Sequence, residues 1–462
     1  MTKVRKLSQS INQIDFETPS EKFESYYQNF LTSDLGYFYQ SIPWGSLTQS
    51  FSKKIKRRYT GRPSIFDLQG KLALMFLKSY TSYSDRKLIE RLNGDYRFQF
   101  FCGLYLHPDQ QLKDYKIVSH IRCELGKLLY IEDFQKQLMD HWKPYMKELG
   151  IFLTDATCYE TSIRYPTNVK LLWEACEWIY RQMKKVNKAR RGRMPRSKYS
   201  EQKNKYLAYQ KSRKKTHKLT QRGIKSLLYL LDKLLKQFDT MLKELPSQVK
   251  LPYIIWERKT IIEKVLAQQQ EWYTTGEKPM HLIVSIDKSY IRPIVRGKET
   301  KRVEFGAKVN TIQMDGINFI EHLSFDAFHE GIRLQSSIYL AQSLTHTKTK
   351  AVAADNIYAT NANRSYCSRE KIQTNFAPKG KPSKDAKQQK QLREILSKER
   401  ATRMEGSFGT EKQHYSLNKI KARTEKTEVL WICFGIHTAN AVRIAKRVKD
   451  QKVSVKDWQH VA

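Results

Sequence analysis

Two short apolar runs, each closed by an aspartate, constrain this chain more than any other feature. "IFLTDA" starts at Ile151 and reaches Asp155; "AVAADN" starts at Ala351 and reaches Asp355. Short β-favouring runs bounded by turn formers read as strands. A carboxylate at a strand end is costly to dehydrate unless a cation meets it. Two strands that each deliver a carboxylate at their carboxyl end can set both beside a shared divalent ion, and Mg2+ favours such hard oxygen donors while keeping water for chemistry. A third carboxylate would complete a two-metal site, with ions roughly 3.5–4 Å apart activating a hydroxyl and stabilising the leaving oxygen at phosphorus. Glu405 in "RMEGSFGTEKQHY" is the candidate. Aspartates that merely cap turns give the same pattern, so the rest of the chain has to decide.

Charge narrows the class of partner. The 462 residues carry 84 Lys and Arg against 46 Asp and Glu, a formal net charge of +38. That excess points to a polyanion, because neutralising phosphates releases counterions and gives affinity without sequence information. No apolar run reaches the roughly 20 residues that span a bilayer, and "MTKVRKLSQSINQIDF" lacks the apolar stretch of a signal peptide. The six cysteines are scattered with no CxxC, which fits a reducing cytoplasm rather than a disulfide framework or zinc knuckle. No HExxH, HxxxH or GxxxxGK[ST] pattern occurs, which argues against a zinc hydrolase or P-loop ATPase.

Residues 1–52 give no clear periodicity. A basic run, "KKIKRRYTGRPS", precedes two helical stripes. One has apolar positions at Ile65, Leu68, Leu72, Met75 and Phe76; the other starts at Ser84 and stops near Asn93-Gly94. A third helix includes "VSHIRCELGKLLY". After the strand at Ile151 the pattern turns helical again at "NVKLLWEACEWIYRQMKK". Residues 181–220 then hold sixteen Lys and Arg against one acidic residue, Glu201. Leu227, Leu231, Leu234, Phe238, Met241 and Leu245 follow as a heptad seam ended by Pro246, expected to bury against a helix of the same segment or a second subunit. Strands are expected at "HLIVSID" (281–287), in a hairpin around Asp315-Gly316, and at "KAVAADNIY". "PKGKPSKDAKQQKQ" (378–391) reads as a loop, and "EVLWICFGIHTANAVRIAKRVK" as a helix with a basic tail.

Together these motifs resemble the DDE transposases of bacterial insertion sequences. "GRPSIFDLQGKLALMFLKSYTSYSDRKLIERLNGDYRFQFFCGL" and "LKDYKIVSHIRCEL" are similar to their helical N-terminal domain. "LTDAT" with "RYPTN" resembles their first aspartate segment, "KRVEFGAKV" a central strand and "AADNIYAT" the second aspartate. "RMEGSFGTEK" and "HTANAVRIAKR" are similar to the glutamate segment and the final helix. The resemblance implies an α/β fold: an RNase H-like mixed sheet core, an α-helical N-terminal domain and a helical, partly coiled-coil insertion. It divides the chain into an N-terminal extension (1–56), a helical DNA-binding domain (57–145), a catalytic core (146–167 and 271–446), a basic helical insertion (168–270) and a basic tail (447–462).

The resemblance also implies Asp155, Asp355 and Glu405 as catalytic ligands of two Mg2+ ions, with Mn2+ able to substitute. Lys412, seven residues past Glu405, takes the place of a lysine that contacts DNA near the cut. The family's arginine and tyrosine positions hold Ala401 and Lys398 here, so the arginine role falls to Arg400 or Arg403 on either side. Gly406 and Gly409 predict a helix that starts late or is irregular. Lys184, Lys185, Arg190, Arg191, Lys211, Arg213, Lys214 and Lys215 are the expected phosphate contacts of the insertion, with Arg193 beside them. Glu411 is a rival third ligand. Asp287 reads as a salt-bridged turn among basic neighbours, and Glu304 as a structural partner. The implied partner is double-stranded DNA, both element ends and target, bound by a homodimer or larger assembly in the cytoplasm at the nucleoid, with no membrane role.

Overall fold

Why this sequence folds locally as it does is clearest at its helix starts. Asp67 Oδ1 accepts the amide of Gly70 at 2.7 Å, and Ser84 Oγ accepts that of Lys87 at 3.1 Å. Each cap satisfies an amide that the first helical turn leaves without an internal partner. The computed structural model describes residues 5–6, 20–55, 64–107, 109–246, 248–295, 303–380 and 386–459. Most of the basic run before Pro63, residues 381–385 of the expected loop, and the last three residues of the basic tail lie outside the described residues.

The chain divides into two compact units. One comprises residues 1–161, 307–324 and 328–462; the other comprises 162–306 with 325–327. In the first, the short strands β1 (Arg5–Lys6) and β2 (Leu104–Tyr105) pair antiparallel. Its helices are α1 (Ser20–Leu31), α2 (Asp34–Gln40), α3 (Trp44–Ser52), α4 (Leu68–Thr81), α5 (Asp85–Gly94), α6 (Tyr96–Phe101), α7 (Lys116–Leu128) and α8 (Ile131–Trp142). The segment before residue 53, which showed no periodicity, contributes three of them. Its regularity is hidden because rings rather than aliphatic stripes hold it. Phe38 stacks on Phe101 at 5.1 Å, and Trp44 meets Phe76 edge-on at 5.9 Å.

The sheet follows with β3 (Ile151–Thr161), and later β5 (Val303–Met314), β6 (Ile317–Ser324), β7 (Ala351–Ala354), β8 (Gln373–Thr374) and β9 (Lys419–Ile420). Neighbours run β6, β5, β3, β7, β8. β5 and β6 form the expected hairpin, turning through Asp315 (φ 45°) and Gly316 (φ 79°), the left-handed pair that a tight two-residue turn requires. β3 and β7 are parallel, from Ile151 opposite Ala351 to Thr154 opposite Ala354. β3 is longer than expected: it continues past Asp155 because β9 pairs with its end at Glu160 and Thr161. Asp155 is therefore a mid-strand residue, whereas Asp355 directly follows the end of β7.

Helices α13 (Leu334–Thr345), α14 (Asn361–Arg369), α15 (Ala386–His414) and α16 (Glu425–Gln459) complete this unit. Two expectations change here. Residues 386–391 open α15 instead of lying in a loop, and α15 runs unbroken through Gly406 and Gly409. Glycine costs roughly 1 kcal/mol relative to alanine inside a helix. Leu396, Met404 and Phe408 offset that by packing on Leu153, Ala351 and Ala353 of the two central strands. In α16, Phe434 sits 4.8 Å from Phe76 and 5.2 Å from Phe134, locking the last helix onto the N-terminal ones.

The second unit is a helical bundle of α9 (Asn168–Arg190), α10 (Tyr199–Lys211), α11 (His217–Lys243) and α12 (Tyr253–Thr275), with a short strand β4 (Pro293–Val295) paired antiparallel to the first residues of β5. The heptad seam is consumed inside it: Leu231, Leu234, Phe238 and Met241 share a core with Leu172, Cys176, Ile179 and Met183 of α9. The strand expected at 281–287 does not form. Its Ile283 and Ile286 join the same helical core, so side-chain burial without a strand partner produced the apolar run.

Candidate active site

β3 presents every second side chain to one face, and α15 lies along that face. Leu153 meets its apolar residues. Two residues on, Asp155 Oδ2 receives Arg400 Nη1 at 2.7 Å. Thr157 Oγ1 accepts Lys412 Nζ at 2.9 Å. Tyr159 donates its hydroxyl to Glu411. One strand face thus holds Arg400, Glu411 and Lys412 of this helix in place.

The parallel register brings the two aspartates together at adjacent strands. Arg400 reaches both, with Nη2 3.8 Å from Asp355 Oδ1. Each carboxylate also accepts a following amide, Ala156 at 2.8 Å and Asn356 at 2.7 Å. Burial pushes the Asp155 carboxyl up to about 6. Arg400 and the Ala156 amide act against that rise, and the negative charges of Glu330 and Asp355 add to it. Asp355 is half-exposed.

Glu405 stands apart. It is exposed on α15 and, among the described residues, forms no ion pair with a neighbour. Its rival Glu411 is 1% exposed and fully engaged. Besides Tyr159, it accepts Asn318 Nδ2, which also reaches Ser407 Oγ at 2.6 Å, and Asn440 clamps the Asn318 backbone from α16. Burial raises the Glu411 carboxyl, opposed by the Tyr159 and Asn318 hydrogen bonds and by Arg443 and Lys412. This is a buried polar network with its acceptors filled, which rigidifies a core.

A divalent ion suits this donor set in part. Asp155 and Asp355 are hard oxygen donors, and the guanidinium of Arg400 is itself a cation that both already hold. Among the described residues no three His, Cys, Asp or Glu side chains gather closely enough to bind a metal ion.

The expected DNA contacts divide. Arg400 and Lys412 turn toward β3, while Arg403 is half-exposed and pairs with Glu399. In the helical unit Lys184, Lys185, Arg191, Lys211, Arg213, Lys214 and Lys215 are exposed. Arg190 is the exception: it pairs with Glu244 and caps the Arg193 carbonyl at 2.8 Å. Asp287 pairs with Arg258 at 2.8 Å, the salt-bridged arrangement expected of it, and Glu304 is buried. Sequence reasoning missed Glu330. It pairs with Lys308 at 2.8 Å and acts on Asp155 through its charge. Its signal was Gly331: a Cβ there would lie 2.5 Å from the Ile357 carbonyl, so only glycine lets this turn approach the segment after Asp355.

Six cysteines are free, five of them buried. Among the described residues no helix is long and apolar enough to cross a membrane. Two family models match the chain. The one described as a transposase domain (DUF772) covers residues 25–124, and the one described as a transposase DDE domain covers residues 352–440, which include Asp355, Arg400, Glu405 and Lys412. No curated protein and no solved structure matches it.

Proposed function

Because the chain belongs to the DDE transposases of insertion sequences, we propose that it binds the terminal inverted repeats of its own element and catalyses Mg2+-dependent cleavage and strand transfer with Asp155, Asp355 and Glu405. The observation that carries this reading is the pair of aspartates on adjacent parallel strands sharing one cationic side chain. The neighbour order β6, β5, β3, β7, β8, with a hairpin on one side and parallel strands on the other, supports an RNase H-like core. The assignment of 57–145 to DNA binding, of 146–167 and 271–446 to the catalytic core and of 168–270 to a basic insertion belongs to the same reading.

Two magnesium ions, when bound, would activate the attacking hydroxyl and stabilise the leaving oxygen of an in-line displacement. The chain supplies the frame. β3 fixes Asp155 from both sides, and the end of β7 holds Asp355 with its carboxylate tied to an amide. Arg400 keeps the two carboxylates converged and then becomes available to a phosphate. This reading assigns the third ligand to Glu405, exposed on α15 between Arg400 and Lys412. Water then frees a 3′-hydroxyl at the element end, and that hydroxyl attacks the target phosphodiester. Lys412 and Arg403 contact DNA beside the cut. The protein works as a homodimer or larger assembly on paired ends, in the cytoplasm at the nucleoid.

The separation of Glu405 from the aspartates favours one alternative, a transposase-derived DNA-binding protein without catalysis. A labelled duplex carrying the flanking terminal repeat separates the two. Specific nicking with Mg2+ or Mn2+ that EDTA abolishes supports catalysis; tight, specific binding without any nicking refutes it. Preferential cutting of an RNA–DNA hybrid would instead indicate an RNase H-like nuclease.

A further inference from the structure

The helical unit contains a cavity of about 810 Å³, within the range of small-molecule sites. The first turns of two long helices line it: Thr167 and Asn168 begin α9, and His217 begins α11. Thr167 and Thr216 cap only the amides of Lys170 and Leu219. The amides ahead of those have no partner inside their helices, and each helix end carries partial positive charge, so both favour an anion. A second observation is independent of the helix ends. Gln269 forms part of the wall, is 2% exposed, and its Oε1 has no hydrogen-bond partner among the described residues. A buried acceptor left without a donor costs free energy, so an occupant that brings an N–H suits it. Beside it Trp272 and Tyr273 offer flat apolar faces, with Lys278 Nζ 5.8 Å from the Trp272 ring centre.

An inorganic anion satisfies the helix starts but neither the acceptor nor the rings. We propose that this cavity binds a nucleotide, with its phosphate at the starts of α9 and α11, its base against Trp272, and a base N–H donated to Gln269 Oε1. A free nucleotide and an unpaired nucleotide of a DNA strand share that chemistry. The DNA source rests on the transposase reading, whereas the site itself does not.

The test is equilibrium binding to the full-length protein in EDTA, where no cleavage can occur. The probes are a short labelled single-stranded oligonucleotide, a blunt duplex, dAMP and inorganic phosphate. Trp272→Ala should weaken oligonucleotide binding roughly tenfold, the scale of losing one base–aromatic stack, and leave duplex binding unchanged. Gln269→Leu should weaken it several-fold on the same scale without lowering the melting temperature, because it removes an orphaned acceptor at similar volume. Weakened dAMP binding with unchanged oligonucleotide affinity in both variants would assign the site to free nucleotides. The proposal is overturned if both variants bind the oligonucleotide and dAMP as the parent does, or if inorganic phosphate competes as well as dAMP. Loss of nicking activity with these results intact would count against the transposase reading alone.

Discussion

Replacing Asp155 by asparagine should make the protein more stable, and by an amount that depends on pH. The Asp155 carboxyl rises from 3.8 to about 6, first because it is buried and despite its ion pair with Arg400. A rise of about two units corresponds to about 3 kcal/mol. Below pH 3.8 the group is protonated folded and unfolded, and its contribution to stability is fully present. Between 3.8 and about 6 the folded state binds the extra proton, so stability falls as pH rises, and above about 6 the loss is complete. Asparagine mimics the neutral form and keeps the Ala156 hydrogen bond, but it leaves Arg400 with Asp355 alone. A net gain of about 1–3 kcal/mol near pH 8 is therefore expected, shrinking toward zero near pH 4. Urea unfolding of parent and Asp155→Asn in EDTA, followed by a probe in the sheet-bearing unit across this range, measures it. A difference that stays flat with pH, or a variant less stable near pH 8, would refute the assignment of burial as the dominant cause. Adding Mg2+ should stabilise the parent and narrow the gap, since a cation that binds only the folded state adds stability by mass action.

Further outcomes follow from the same geometry. Asp355→Asn and Glu405→Gln should abolish nicking of a terminal-repeat duplex while gel-shift affinity persists. Glu411→Gln should instead lower the melting temperature and leave nicking measurable; a dead Glu411 variant beside an active Glu405 variant would reverse the third-ligand assignment. Neutralising Lys184, Lys185, Lys211, Arg213, Lys214 and Lys215 should flatten the dependence of log affinity on log salt by up to about 0.9 per lost phosphate contact, and an unchanged slope would place DNA elsewhere. Leu234→Ala should cost about 2–5 kcal/mol, the range for emptying a buried leucine site, with no change in sedimenting mass, because that seam packs within its own unit. Gly406→Ala and Gly409→Ala should each raise stability by about 1 kcal/mol in thermal unfolding, as a Cβ at either site meets nothing within 4 Å.

Much of the candidate site was legible because each aspartate closes a short apolar run, and parallel pairing of those runs does the rest. The extension of β3 beyond Asp155 was not legible: "TCYET" reads as half-polar, and its partner β9 lies more than 250 residues later in the chain. The error at 281–287 has the opposite origin. Ile283 and Ile286 face a helical core, and periodicity cannot distinguish that from a sheet. Local propensity misjudged α15 because the glycines count against a helix, while the packing of Met404 and Phe408 on the central strands is invisible in one dimension. The competition between Glu405 and Glu411 could not be decided by spacing either. Tyr159, Asn318 and Asn440 come from three distant segments, and only their convergence marks Glu411 as a core residue.

The single helix that carries Arg400, Glu405, Glu411 and Lys412 also limits how this protein can change in length. From Arg400 to Glu411 the helix advances about 16 Å, while Asp155 to Tyr159 on the strand spans about 13 Å. Two rulers of different pitch meet at both ends of that stretch. Inserting one residue between them would turn everything beyond it by about 100°, carrying Glu411 out of the core and Lys412 away from Thr157 together. Substitutions at outward positions such as Thr402 leave this phase alone. Length variation can therefore accumulate in the turn after His414, where the chain leaves the helix and absorbs the rotation, but between the arginine and the buried glutamate the count of residues is fixed more firmly than their identities.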